Sequence, residues 1–141
     1  MTAVPDQRRR AFDDPDVAKA YVHRAPYPPA LFVRLQELAP RAGRLLDLGC
    51  GPGKLTLPLA AGFRRVDAVD PAEPMIAAAR TLNAAPNIRW IVADAEDAPL
   101  TGEYDLVTAG ASIHWMRPEA LFPRLRPHLS PGARLRGRRR R

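Results

Sequence analysis

Three glycines at alternate positions, Gly49, Gly51 and Gly53, close an apolar run, and Asp47 stands two residues ahead of the first. Glycine at such a turn permits positive φ and leaves no side chain between backbone and ligand. Asp70 ends the next apolar run, about the distance at which a carboxylate grips ribose hydroxyls in nucleotide-binding α/β folds. Together they read as an adenosine site. A dinucleotide fingerprint wants G-x-G-x-x-G, whereas here the third glycine comes one residue early. A carboxylate at Asp47 also suits a zwitterionic, cationic ligand better than a pyrophosphate. With no Tyr-x-x-x-Lys pair for hydride transfer, a nicotinamide cofactor is a minor alternative. The single cysteine, Cys50, reads as a small residue whose backbone matters, and His23, His114 and His128 are dispersed, so no metal site is expected.

These residues need a scaffold, and the chain around them alternates short apolar runs with helical stretches from residue 44 onward, the pattern of βαβ units. Strands are expected at Arg44 to Leu48, Val66 to Val69, Ile88 to Ala93 and Tyr104 to Thr108. Helices are expected near Lys54 to Ala61, Glu73 to Leu82 and Pro118 to Leu125, the first of them aiming N–H groups at the crevice. Upstream, Asp14-Pro15 starts a helix to about His23, and a second runs from Pro29 to Ala39 with Leu31, Leu35 and Leu38 on one face. Strands apolar on both sides imply helices on both faces of a parallel, Rossmann-like sheet. Each candidate also has a plainer reading: Asp47 and Asp70 could cap turns, Asp94 could close a strand-end turn, and Met75 could be core.

Leu45-Leu46-Asp47-Leu48-Gly49-Cys50-Gly51-Pro52-Gly53 resembles motif I of the class I S-adenosylmethionine (SAM) dependent methyltransferases, close to the small-molecule type-11 group. Ala68-Val69-Asp70-Pro71-Ala72-Glu73-Pro74-Met75 resembles the next motif, which implies ribose binding by Asp70 and an adenine lining that includes Pro71 and Met75. Ile91-Val92-Ala93-Asp94-Ala95-Glu96 resembles the third, implying an adenine contact by Asp94 and a backbone contact by Ala95. Tyr104 to Ala109, continuing to His114-Trp115, resembles the fourth, beside the methionine moiety and the acceptor. Tyr21 and Arg24 to Pro28 resemble the segment that covers the cofactor. The resemblance thus implies SAM as cofactor, held by Asp47, Gly49, Cys50, Gly51, Gly53, Asp70, Pro71, Met75, Asp94, Ala95, Ala109, Tyr21 and Arg24, with His114 and Trp115 as catalytic candidates.

It also implies transfer of a methyl group to a small-molecule acceptor. No Asp-Pro-Pro-Tyr type tetrapeptide follows the fourth strand, which disfavours DNA amino-methylation. Family members continue past Pro131-Gly132 with a fifth strand and an antiparallel pair, so the fold expected here is an open α/β sheet lacking most of the fifth strand and the sixth and seventh. A truncated chain that binds SAM weakly and turns over poorly is the resulting expectation. A non-catalytic remnant that binds SAM or nucleic acid is the alternative.

At 141 residues the chain is expected to form one domain, residues 13–135, between a flexible basic segment, 1–12, and an arginine-rich tail, 136–141. The net charge of +7 is concentrated at the two ends, without aromatic residues to stack on bases. Nucleic-acid binding is therefore expected only non-specifically through the tail. No apolar run approaches the roughly 20 residues that span a bilayer, no signal peptide is evident, and a cytoplasmic location is the expectation. The acceptor itself, the pathway and the oligomeric state are not legible.

Overall fold

The computed structural model describes residues 27–82, 85–109 and 116–137. The helix expected from Asp14 to His23 lies outside them. Helix α1 (Pro29–Leu38) begins with proline at its first position, where the missing N–H has no intrahelical partner to lose. It ends at Ala39, which is extended ahead of Pro40 as residues before proline tend to be. Its apolar side, Leu35 with the partly buried Leu31 and Leu38, faces the sheet.

The βα alternation follows as β1 (Arg44–Leu48), α2 (Thr56–Ala60), β2 (Arg65–Asp70), α3 (Glu73–Leu82), β3 (Ile88–Val92), a 3-10 turn (Ala95–Asp97), β4 (Tyr104–Thr108), α4 (Pro118–Leu125), a second 3-10 turn (Arg126–His128) and β5 (Leu129–Arg136). The strands form one sheet in the order β3-β2-β1-β4-β5, every pairing parallel. Leu45 and Leu46 show why successive positions of the central strand β1 can both be apolar. Leu45 joins Leu35, Leu59 and Phe63 on one face, Leu46 joins Leu121 and Leu125 on the other, and both leucines are fully buried. Helices cover both faces, as the sequence implied.

Two elements differ from the sequence reading. Helix α2 is regular only from Thr56, two residues late, although Leu55 is already helical and Leu57 N–H bonds Gly53 O (2.9 Å): Pro58 has no N–H to give the Lys54 carbonyl, which interrupts the first turn. The fifth strand, expected only as an onset, is an eight-residue strand. Pro131-Gly132 does not end it: the register passes from Tyr104 opposite Leu129 to Leu106 opposite Arg134, so the extra residues bulge out and pairing resumes. Gly132, at φ 82°, supplies the backbone the bulge needs. The described residues contain five strands, and no described helix is long and apolar enough to cross a membrane.

The edge of the sheet where the strands begin is closed by polar groups. The Arg44 guanidinium bonds Asp67 and Thr101 and lies over the Tyr104 ring, whose hydroxyl donates to Asp67. Burial and the Asp67 carboxylate push the Tyr104 hydroxyl up to about 12, so it stays a donor. Asp105 likewise accepts from Ser130 Oγ (2.6 Å), Arg41 Nε and the Arg44 N–H (both 3.0 Å), tying β4 to β5 and to the entry of β1. This edge is structural; the other end of the strands holds the candidate site.

Candidate functional site

In an open α/β sheet the ligand crevice lies beyond the carboxyl ends of the strands, where successive connections leave in opposite directions. Here that point is between β1 and β4, where Asp47 sits opposite Thr108. The glycine turn leaves β1 directly above. Gly49, Gly51 and Gly53 have φ of 67°, 54° and 89°, a region that strains other residues. Gly53 is constrained twice: a Cβ there would come within 3.1 Å of both Leu57 and the Trp90 indole. The glycine loop and β3 thus approach as closely as a missing side chain allows.

The turn is bonded to β2 rather than left to the ligand. Cys50 N–H donates to Val69 O (2.9 Å), Gly51 N–H to Asp70 Oδ2 (2.9 Å) and Gly53 N–H to Cys50 O (3.0 Å). The sequence reading had the following helix offering N–H groups to the crevice. The three bonded N–H groups belong to the glycine loop ahead of that helix, two of them reaching β2, and in the helix's first turn Leu57 N–H donates to Gly53 O (2.9 Å). Asp70 also accepts from the Ala72 N–H (2.8 Å) through Oδ1, and its own carbonyl accepts from Ala93 (3.1 Å). One residue therefore joins the glycine loop, the start of α3 and the end of β3. A carboxylate has about four acceptor sites, so these bonds are compatible with a ligand contact as well.

Asp47 lies beneath the turn. It is 1% exposed, and its two oxygens accept from Thr56 Oγ1 (2.6 Å) and Thr108 Oγ1 (2.9 Å), so it braces β1, α2 and β4 together. Beyond the ligand contact that the sequence implies, Asp47 is a brace, and its two bonds do not exhaust the roughly four acceptor sites of a carboxylate. Burial lifts its pKa to about 6, against the pull of the two threonine hydroxyls and with a further push from Asp70. The Cys50 thiol is likewise pushed well above its ordinary range by burial and by the same two carboxylates, which favours its protonated form. No cluster of three or more metal-ligating side chains occurs among the described residues.

On the far side, Asp94 precedes the 3-10 turn, and its side chain makes no capping bond to it, while its carbonyl accepts from Asp97 N–H (3.0 Å). Pro71 is exposed at the head of α3. Met75 is on that helix's buried stripe with Ile76 and Ala79 and is 2% exposed, so its side chain is core rather than crevice wall. Ala95 and Ala109 are also buried, and Ala109 N–H extends the β4–β5 pairing by donating to Arg136 O (2.9 Å). Tyr21, Arg24, His114 and Trp115 lie outside the described residues. The structure adds residues the sequence did not single out: Thr56 and Thr108 on Asp47, and Trp90 against Gly53. Only the placement of each threonine, one opening a helix and one ending a strand, hinted at them.

Residues 45–132 match the methyltransferase domain family. The chain belongs to that family. This SAM-dependent methyltransferase fold is shared with a protein assigned as a type II methyltransferase from Anaeromyxobacter dehalogenans, at 40% identity and a TM-score of 0.72 over 81% of this chain and 48% of the other. SAM-bound CalS10, an amino pentose methyltransferase from Micromonospora echinaspora, superposes with a TM-score of 0.60 at 28% identity, covering 72% of this chain and 44% of its own. By sequence, trans-aconitate 2-methyltransferase of Variovorax paradoxus is 41% identical over 97 residues, 66% of this chain and 37% of that methyltransferase. The chain spans less than half the length of each of these relatives.

Proposed function

We propose that this chain binds S-adenosylmethionine in the crevice above β1 and β4 and serves methyl transfer to a small-molecule acceptor. The observation that carries the reading is Asp70: a buried carboxylate at the end of β2, bonded to Gly51 and Ala72, at the position where the family's resemblance puts the ribose. The donor set fits such a cofactor. Asp47 and Asp70 are close enough for each charge to be felt by the other, which favours a ligand carrying positive charge. Bound there, the cofactor supplies a methyl carbon already activated by its sulfonium, so alignment and exclusion of water are the protein's main tasks.

Asp70 would hold the ribose, Asp94 the adenine amino group, and Gly49 to Gly53 the methionine side, with the loop set in place by its bonds to β2. The small-molecule acceptor is supported by the relatives' names, which specify trans-aconitate and an amino pentose. On the acceptor side we propose His114 and Trp115 from the resemblance alone. We also propose a cytoplasmic location, which stands on the sequence reading alone. Titration calorimetry of the chain with SAM tests the reading: saturable one-to-one binding, weakened at least about 100-fold by Asp70→Ala, is expected from the loss of charge-assisted hydrogen bonds. Identical isotherms for the two proteins would remove the basis of the assignment.

A further inference from the structure

Helix α4 is fastened to the turn after β3 at both of its ends. The half-buried Arg124 guanidinium spans three carbonyls in and just after the turn, donating through Nη1 to Glu96 O (2.6 Å) and Ala95 O (3.5 Å) and through Nη2 to Ala98 O (2.6 Å). At the other end of the helix, Glu96 Oε2 accepts from the Arg117 N–H (2.7 Å), and the Arg117 side chain lies 4.0 Å away. Between these polar ends Leu121 and Leu125 pack with Ala95 and Ala98. A three-residue 3-10 turn has few hydrogen bonds of its own, so its conformation is imposed by this planar, multidentate donor. The turn begins at Ala95, immediately after Asp94, and Ala93 is bonded back to Asp70.

We infer that Arg124 and Glu96 are positioning residues that set the Asp94–Ala95 segment for adenine recognition, and so fix which nucleoside the cofactor may carry. The inference rests on the reading of Asp94 given above. Neither residue touches the ligand; each acts through the turn. Loss of the guanidinium frees Ala95, Glu96 and Ala98 carbonyls to rebond, and Asp94 loses its fixed aim while Asp70 and the glycine loop keep theirs.

The test compares S-adenosylhomocysteine with S-inosylhomocysteine, which replaces the 6-amino donor by a carbonyl. Calorimetry on the whole chain should give the adenosyl compound an advantage on the order of 100-fold, as sites built around a hydrogen bond discriminate strongly. In Arg124→Met, which keeps the aliphatic stem, that advantage is expected to fall to about tenfold or less, mainly through weaker binding of the adenosyl compound. Arg124→Lys, which keeps the charge and the fold but cannot bridge three carbonyls, should shrink it in the same direction. Arg126→Ala, at an exposed position two residues on, should leave it unchanged. Equal losses for both compounds in the Arg124 variants, or an unchanged ratio in Arg124→Lys, would overturn the inference alone. Failure of the unaltered chain to bind the adenosyl compound would overturn the functional reading and this inference with it.

Discussion

Replacing Asp47 by asparagine separates what this carboxylate does for the fold from what it does for a ligand. Burial raises its pKa from the ordinary 3.8 to about 6. At about 1.4 kcal/mol per pH unit, the ionised form is roughly 3 kcal/mol less favourable in the folded chain than in the unfolded one once the pH exceeds 6. The sign follows from a raised folded pKa: between 3.8 and about 6 the folded chain binds more protons than the unfolded, so stability falls as the pH rises through that window. Asparagine preserves the shape, and its amide can accept from one threonine hydroxyl and donate to the other. Asp47→Asn should therefore be more stable than the unmodified chain by about 1–3 kcal/mol at pH 8, with the gap closing toward pH 4. For a chain of this size that is roughly 3–12 °C in Tm. Thermal unfolding at intervals from pH 4 to 8 reads both the gap and its pH dependence. A variant less stable at pH 8, or a gap that does not change with pH, would refute the reasoning, because the carboxylate would then be a net contributor to the fold. If the charge is kept for the ligand, the same variant should bind SAM more weakly despite its greater stability.

Gly53→Ala should destabilise the chain by about 1–3 kcal/mol and weaken SAM binding, since φ of 89° strains any side chain and the new Cβ meets Leu57 and Trp90; urea unfolding and calorimetry measure the two effects. Asp105 shows the opposite pH behaviour to Asp47. Burial raises its pKa, but bonds from Ser130 and the Arg44 N–H and the charge of Arg41 outweigh it, leaving the carboxyl below the usual range. Its stabilisation is present above the ordinary carboxylate range and lost as pH falls through the folded value, so Asp105→Asn should flatten the acid limb of the stability profile below about pH 4. Unfolding curves between pH 2 and 5 check it.

The strands were readable because burial on both faces places apolar residues at successive positions, as at Leu45-Leu46 and Leu106-Val107. Glycine and proline misled in two places. Pro58 shortens α2, since it has no N–H to complete the turn that opens with Leu57 N–H on Gly53 O, and Pro131-Gly132 has the composition of a chain-reversing turn but is taken up as a bulge because Leu135 and Arg136 still pair with Val107 and Thr108. The site's acidic residues were legible by type and spacing, whereas their working relations were not. Thr56 and Thr108 lie 9 and 61 residues from Asp47, and only the fold brings both hydroxyls to one carboxylate. In a chain so rich in arginine, nothing in the sequence distinguishes Arg124 from neighbours that are solvated.

Calorimetric titration of the 141-residue chain with SAM, beside Asp70→Ala and with melting curves to show that both are folded, tests the central claim most directly. One-to-one binding by the unaltered chain, reduced at least about 100-fold in the variant, is the predicted result. Binding of equal strength in both, or no binding by the folded unaltered chain, would contradict it.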